Sequence, residues 1–190
     1  MTDAAHAASG PGAMRRVRTW DIVVRAFHWS LVALVLFEAF LSDPESHLHL
    51  LAGYAVVGLL ALRLVWGLVG TRFARFSAFP PSLGGALGHL ASLMTGRREE
   101  PHLSHNPLGA LMVYNLLATL ALITATGIMM GMDAFWGVDW VEETHEALVN
   151  WLLFSVVLHV AGVVFETRRT RVNLVRAMVT GWKEMPGRSA

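Results

Sequence analysis

The chain has 190 residues, 54% of them hydrophobic and only 15% charged, a balance too apolar for an ordinary soluble domain of this size. It contains no cysteine, which excludes disulfides, iron–sulfur clusters, thiolate zinc sites and covalent haem attachment through C-x-x-C-H. The formal net charge of +1 says little as a total, because the charges are gathered into a few stretches between long apolar runs.

Residues 1–18 read as a flexible lead-in that turns basic at Arg15, Arg16 and Arg18 and lacks the apolar core of a signal peptide. Four segments then follow that are long enough to cross a bilayer, which takes about 20 helical residues. They run over about 22–41, 48–69, 108–132 and 143–165. In lipid every backbone polar group must be paired within the segment, so each is expected to be an α-helix. The short connections at 42–47 and 133–142 make their flanking helices antiparallel neighbours. The expected fold is all-α: a membrane protein built as an up-and-down four-helix bundle over residues 19–183, with a short tail at 184–190.

Charge gives the bundle a direction. Of fifteen Lys and Arg, four lie in the stretch through Arg25, four between the second and third spans, and six after the fourth. The loops at 42–47 and 133–142 hold none, but they carry Asp43, Glu45, Asp133, Asp139 and Glu142. The positive-inside rule then puts both termini and the long middle loop in the cytoplasm of a bacterial inner membrane. Phe135, Trp136 and Trp140 suit the outer interface. The middle loop, with Pro80 and Pro81, includes a segment Leu83 to Met94 expected to lie along the inner surface, as is Asn173 to Trp182.

Four histidines fall inside the spans: His28, His49, His145 and His159. A polar side chain in a membrane helix faces the bundle interior and has a partner. A single such histidine is as readily a core residue bonded to a backbone carbonyl or a serine. Here, however, the four sort by depth into two levels. His49 and His145 begin their spans on the outer side. His28 lies about two turns in from the inner side, and His159 is fourteen residues beyond His145, about 21 Å deeper. Fourteen residues return a helix to within about 40° of its starting direction, so His145 and His159 point the same way. Two facing pairs of imidazoles are what two iron porphyrins need for axial ligation in a bundle core. Gly53, four residues after His49, and Ala161 and Gly162 after His159 would let a macrocycle approach the backbone, though small residues also serve plain helix packing.

Arg63 stands fourteen residues after His49, at the inner level and on nearly the same face. Its guanidinium is expected to answer a haem propionate or a quinone headgroup. Arg25, one turn before His28, is expected either to do the same or to reach lipid phosphates. Glu38 reads as a proton-coupling group or as a carboxylate solvated at the outer interface. His47 competes with His49, but the spacing to Gly53 favours His49. His89, His102 and His105 fall in the middle loop and are expected to be solvated, and His6 lies in the lead-in. Met129, Met130 and Met132 read as packing residues near a span end.

Together these residues resemble the bacterial cytochrome b561 family, which includes the b-type subunits of nickel–iron hydrogenases. The resemblance covers about Val17 to Lys183. It is carried by W-D-I-V-V-R-A-F-H-W-S around His28, L-H-L-L-A-G-Y around His49 and A-L-R-L-V-W-G-L-V-G through Arg63. S-H-N-P-L-G before the third span, E-E-T-H-E-A-L-V-N-W around His145, L-H-V-A-G-V around His159 and the final N-L-V-R-A-M-V-T-G-W-K complete it. The chief departure is the extra His47, and the chain is shorter than the hydrogenase-type members. The resemblance implies two non-covalent b haems, one held by His28 and His159 and the other by His49 and His145. It further implies electron exchange between membrane quinone (ubiquinone or menaquinone) and a partner such as a c-type cytochrome or another periplasmic redox protein.

The expected function is therefore respiratory electron transfer, with quinone oxidoreductase activity left open and a homodimer allowed. A second reading is a membrane anchor and electron-transfer subunit of a larger oxidoreductase. A third, a His-based metal transporter, would want carboxylates among the intramembrane histidines, whereas their neighbours are apolar and small. No Gly-rich phosphate loop, Ser–His–Asp set or nucleic-acid patch is evident.

Overall fold

A computed structural model of the chain describes residues 15–95 and 102–185. The earlier part of the lead-in with His6, the cations Arg97 and Arg98, and the end of the tail lie outside these. Four helices are long and apolar enough to cross a membrane: α1 (Ile22–Phe40), α2 (His47–Val69), α4 (Pro107–Met130) and α5 (Asp139–Thr170). A 3-10 turn at Phe76–Ala78 and the helix α3 (Leu83–Met94) connect α2 to α4. After α5 come α6 (Leu174–Thr180) and a strand β2 (Trp182–Met185), which pairs antiparallel with β1 (Arg15–Arg18).

Local sequence sets the helix starts. Asp21, Ser46, Ser82 and Asn106 each accept the backbone N–H three residues on, at the N-caps of α1, α2, α3 and α4. Pro107 follows at the first position of α4, where its missing N–H costs nothing. The fourth span is longer than its apolar stretch, 32 residues and so about 48 Å. Asp139 and Glu142 in its first turn and Arg168 and Arg169 in its last complement the helix dipole, which carries the helix past both ends of the apolar run.

The spans form an open series of packed neighbours: α1 on α2, α2 on α4, and α4 on α5. Among the described residues α5 makes no comparable backbone approach to α1 or α2. At mid-height the gap is closed by side chains. Val56, Leu60, Leu120 and Leu152 are buried together, with Leu31, Leu34 and Val35 packed against them. Val56 lies seven residues from both His49 and Arg63, and Leu152 seven from both His145 and His159. An apolar septum thus divides the space beside α5 into two levels.

The two ends of the bundle are finished differently. At the end where the loops are short, a few residues join the helices. At the end where both termini lie, β1, β2 and α6 form a folded cap, while α3 packs on α4. The core of the cap is Trp20, Val24, Ala74 and Ala177, with Trp66 and Met178 against it. Asp21 joins α1 to the end of α2, since its Oδ2 accepts from Trp66 Nε1 (3.0 Å) and Thr71 Oγ1 (2.5 Å). Burial raises the pKa of this carboxyl, but its hydrogen bonds outweigh that and hold it below the ordinary value. Gly181 ends α6 at φ 87°, and its carbonyl accepts from the N–H groups of Thr19 and Trp20 (2.9 and 3.1 Å). A Cβ there would press into the Trp20 carbonyl, so the turn requires glycine. The strand pair corrects the expectation of a structureless stretch running through Arg18. The register Arg18↔Trp182 brings those residues onto the cap instead.

Candidate functional site

At the loop end His49 and His145 face one another across the gap between α2 and α5. Their ring centroids are 6.3 Å apart and their planes are inclined by 72°. His49 Nδ1 meets Glu38 Oε2 at 2.5 Å, the nitrogen donating to the carboxylate. His145 Nδ1 meets Thr126 Oγ1 at 2.9 Å. The single Thr126 hydroxyl proton is directed at the carbonyls of Leu122 and Ile123, both at 3.0 Å, so the oxygen accepts from His145. Both rings are therefore held through Nδ1, which leaves the Nε2 lone pairs for a metal. Imidazole nitrogens freed in this way are the donors that a haem iron takes, so these two rings would be able to hold one between them.

Glu38 corrects one alternative read from sequence. It is not a solvated interface carboxylate: its side chain is 22% exposed and engaged by His49, and its Oε1 is buried with no hydrogen-bond partner. His47 is exposed, which leaves the position in the pair to His49.

At the other end His28 on α1 and His159 on α5 lie below the septum, both half-buried and close enough to interact electrostatically. His28 packs edge-on against Trp29 (5.1 Å), and its Nδ1 is buried with no partner. Arg63 is 5% exposed, its guanidinium lies 4.6 Å above the Phe76 ring, and its Nη1 has no hydrogen-bond partner. Phe76 reaches this position because Gly67, one turn after Arg63, has no side chain; a Cβ there would fall within the ring. Arg25 is turned toward the cap, where its Nη2 donates to the Val179 carbonyl at the end of α6. Trp29 Nε1 donates to the neighbouring Met178 carbonyl (3.4 Å).

The surroundings of this level correct the expectation of solvated loop histidines. His105 is wedged between Trp20 (4.9 Å) and Phe79 (4.6 Å). Burial, followed by the positive charges of Lys183 and Arg63 and by His159, pushes its pKa down to about 3, so the ring is neutral. His89 is 3% exposed on the buried face of α3 and approaches His102 edge-on at 6.2 Å. Lys183, 4% exposed on β2, donates to the carbonyls of His102, Leu103 and Ser104 at 2.9, 3.0 and 2.8 Å. Burial lowers its pKa to about 8 against the opposing charge of Glu166.

Glycines lie on the helices near these rings. A Cβ added at Gly53 or at Gly162 would meet nothing within 4 Å, so neither glycine is a close helix contact; Gly53 is half-buried and Gly162 exposed. Both His pairs stand across the helix pairs that lack direct backbone packing, one pair on each side of the septum. Glu38, Thr126 and Phe76 were not read from sequence as partners of the site. Thr126 carried one signal: a hydroxyl in the third span at the depth of His145.

The family model described as prokaryotic cytochrome b561 matches residues 19–181, most of the chain. No curated protein and no solved structure matches it.

Proposed function

The chain belongs to the prokaryotic cytochrome b561 family, a family of b-type membrane cytochromes of electron transfer, and from that premise we propose that it holds two b haems, one on each side of the septum. His49 and His145 would hold one through Nε2, and His28 and His159 the other. What carries the reading is the placement of both His pairs across the unpacked faces of α5. A bound haem b supplies reversible one-electron chemistry at its iron.

The chain's own residues bind and orient. Glu38 and Thr126 hold the two loop-end rings by Nδ1. Arg63, buried with an unpartnered Nη1, supplies a counter-charge to a propionate at the other level, or to a quinone headgroup beside it. Val56, Leu60 and Leu152 keep water out of the middle of the bundle. With both termini in the cytoplasm, as the distribution of Lys and Arg supports, the loop end faces the periplasm. Asp43, Glu45, Asp133, Asp139 and Glu142 make that end acidic, which suits a basic redox partner such as a small c-type cytochrome. The exchange partner on the membrane side is quinone or quinol.

Reduced-minus-oxidised visible spectra of the purified protein, with pyridine haemochrome quantitation, test the reading. Two low-spin b haems per chain are expected. One haem would remove one of the His pairs from the account, and none in protein from haem-replete cells would overturn it.

A further inference from the structure

Three of the four intramembrane histidines differ in what meets Nδ1. His145 has a neutral hydroxyl, Thr126. His28 has no partner at Nδ1. His49 alone has a carboxylate, Glu38, which comes from a different span and reaches back eleven residues across the α1–α2 connection. The contact is 2.5 Å between two part-buried side chains, and the second carboxylate oxygen is buried without any donor to disperse its charge. No Lys or Arg occurs in the loops at this end to neutralise it.

We propose that Glu38 is a positioning residue that fixes His49 with Nε2 toward the gap and, through its charge, makes His49 an electron-rich ligand that holds the loop-end haem at a lower potential than a neutral partner would. This rests on the two-haem reading above. A carboxylate accepting from Nδ1–H raises the basicity of the opposite nitrogen, and such outer partners alter the properties of a metal site about as strongly as many direct ligands. An electron-rich axial ligand favours the oxidised metal, as does a nearby unscreened negative charge. The two effects act in the same direction. They act chiefly at one level, because Glu38 touches His49 directly, whereas the septum and about 15 Å of α1, ten residues, separate it from His28.

The test is a redox titration of the purified holoprotein, followed in the visible α-band, with Glu38→Gln as the main variant. Glutamine keeps the shape and an acceptor oxygen but removes the charge. His159→Ala supplies a background in which only the loop-end haem remains, so that its wave is read without assignment. Glu38→Gln should move the loop-end wave toward the reduced form by about tenfold, which is 59 mV for one electron, and leave the other wave in place. Glu38→Asp, which restores the charge on a shorter arm, should bring the wave back toward wild type. If Glu38→Gln keeps a single haem, survival of the His28–His159 haem still ties Glu38 to His49, whereas survival of the loop-end haem overturns the proposal. An unmoved loop-end wave with both haems present, or equal shifts of both waves, would also overturn it. A wild-type protein without haem would instead overturn the two-haem reading itself.

Discussion

The two His levels sit on the same helix, α5, fourteen residues apart, yet they are supported in different ways. At the loop end the rings are oriented by side chains of neighbouring spans, Glu38 from α1 and Thr126 from α4. At the other end the support comes from beyond the spans. Phe76 covers Arg63, His105 is wedged between Trp20 and Phe79, and Lys183 pins the backbone that carries His105. One level is thus a membrane-embedded site with its own hydrogen-bonded frame. The other is the floor of a small folded domain. The lesson is that identical histidines on one helix can depend on unrelated parts of the chain, so the two levels should fail independently.

The largest test of that independence removes one of the proposed haem ligands. His159→Ala should lower the haem content from two to one per chain by pyridine haemochrome, with the remaining spectrum that of the loop-end haem. His145→Ala should give the complementary result. Equal loss of both haems in either variant would break the comparison.

Next in size is the cap. Lys183→Met removes a donor shared by three carbonyls and should cost about 3 kcal/mol of thermal stability in detergent. The change should be felt at the His28–His159 level, with the loop-end haem spectrum unaltered.

A third test uses pH. His105 has a folded pKa of about 3, against an ordinary value of 6.5. Between these values the unfolded chain takes up a proton that the folded chain does not, so stability falls as pH drops below 6.5 and approaches 3. At pH 5 the loss from this residue is about 2 kcal/mol. Melting curves at pH 7 and pH 5 should therefore differ less in His105→Leu than in wild type.

The smallest expected effect is that of Thr126→Val, which removes one acceptor of His145 Nδ1–H and leaves the Ile123 carbonyl as the other. Haem retention at the loop end should weaken about tenfold on titration with a competing apoprotein, while the other haem is unaffected.

The sequence shows the spans and the four histidines plainly, because hydropathy and a fourteen-residue step are periodic features of a single helix. Arg63 is legible for the same reason, as a charge placed one step beyond His49. What surrounds these residues is not. Nothing near Glu38 in the chain shows that the α1–α2 connection folds it back onto His49, and a carboxylate beside an interface loop reads equally well as solvated. The strand pair Arg15–Arg18 with Trp182–Met185 joins segments more than 160 residues apart in a basic stretch with no alternation of polar and apolar residues. Lys183 shows the difficulty most clearly. In sequence it is one more cation after the fourth span, and only the fold reveals it as a clamp on the chain 80 residues earlier.

One consequence concerns how the molecule is made and kept in a cell. Among the described residues α5 meets α1 and α2 chiefly through the septum, so little backbone packing against them holds the last span in place. A group that binds only the assembled bundle adds its binding energy to the stability of that assembly. On the proposed two-haem reading, cofactor delivery would act as a checkpoint in biogenesis, because loading would add to the stability of the assembled bundle. The abundance of this protein should therefore follow the cell's haem supply after synthesis, with no change in its messenger RNA.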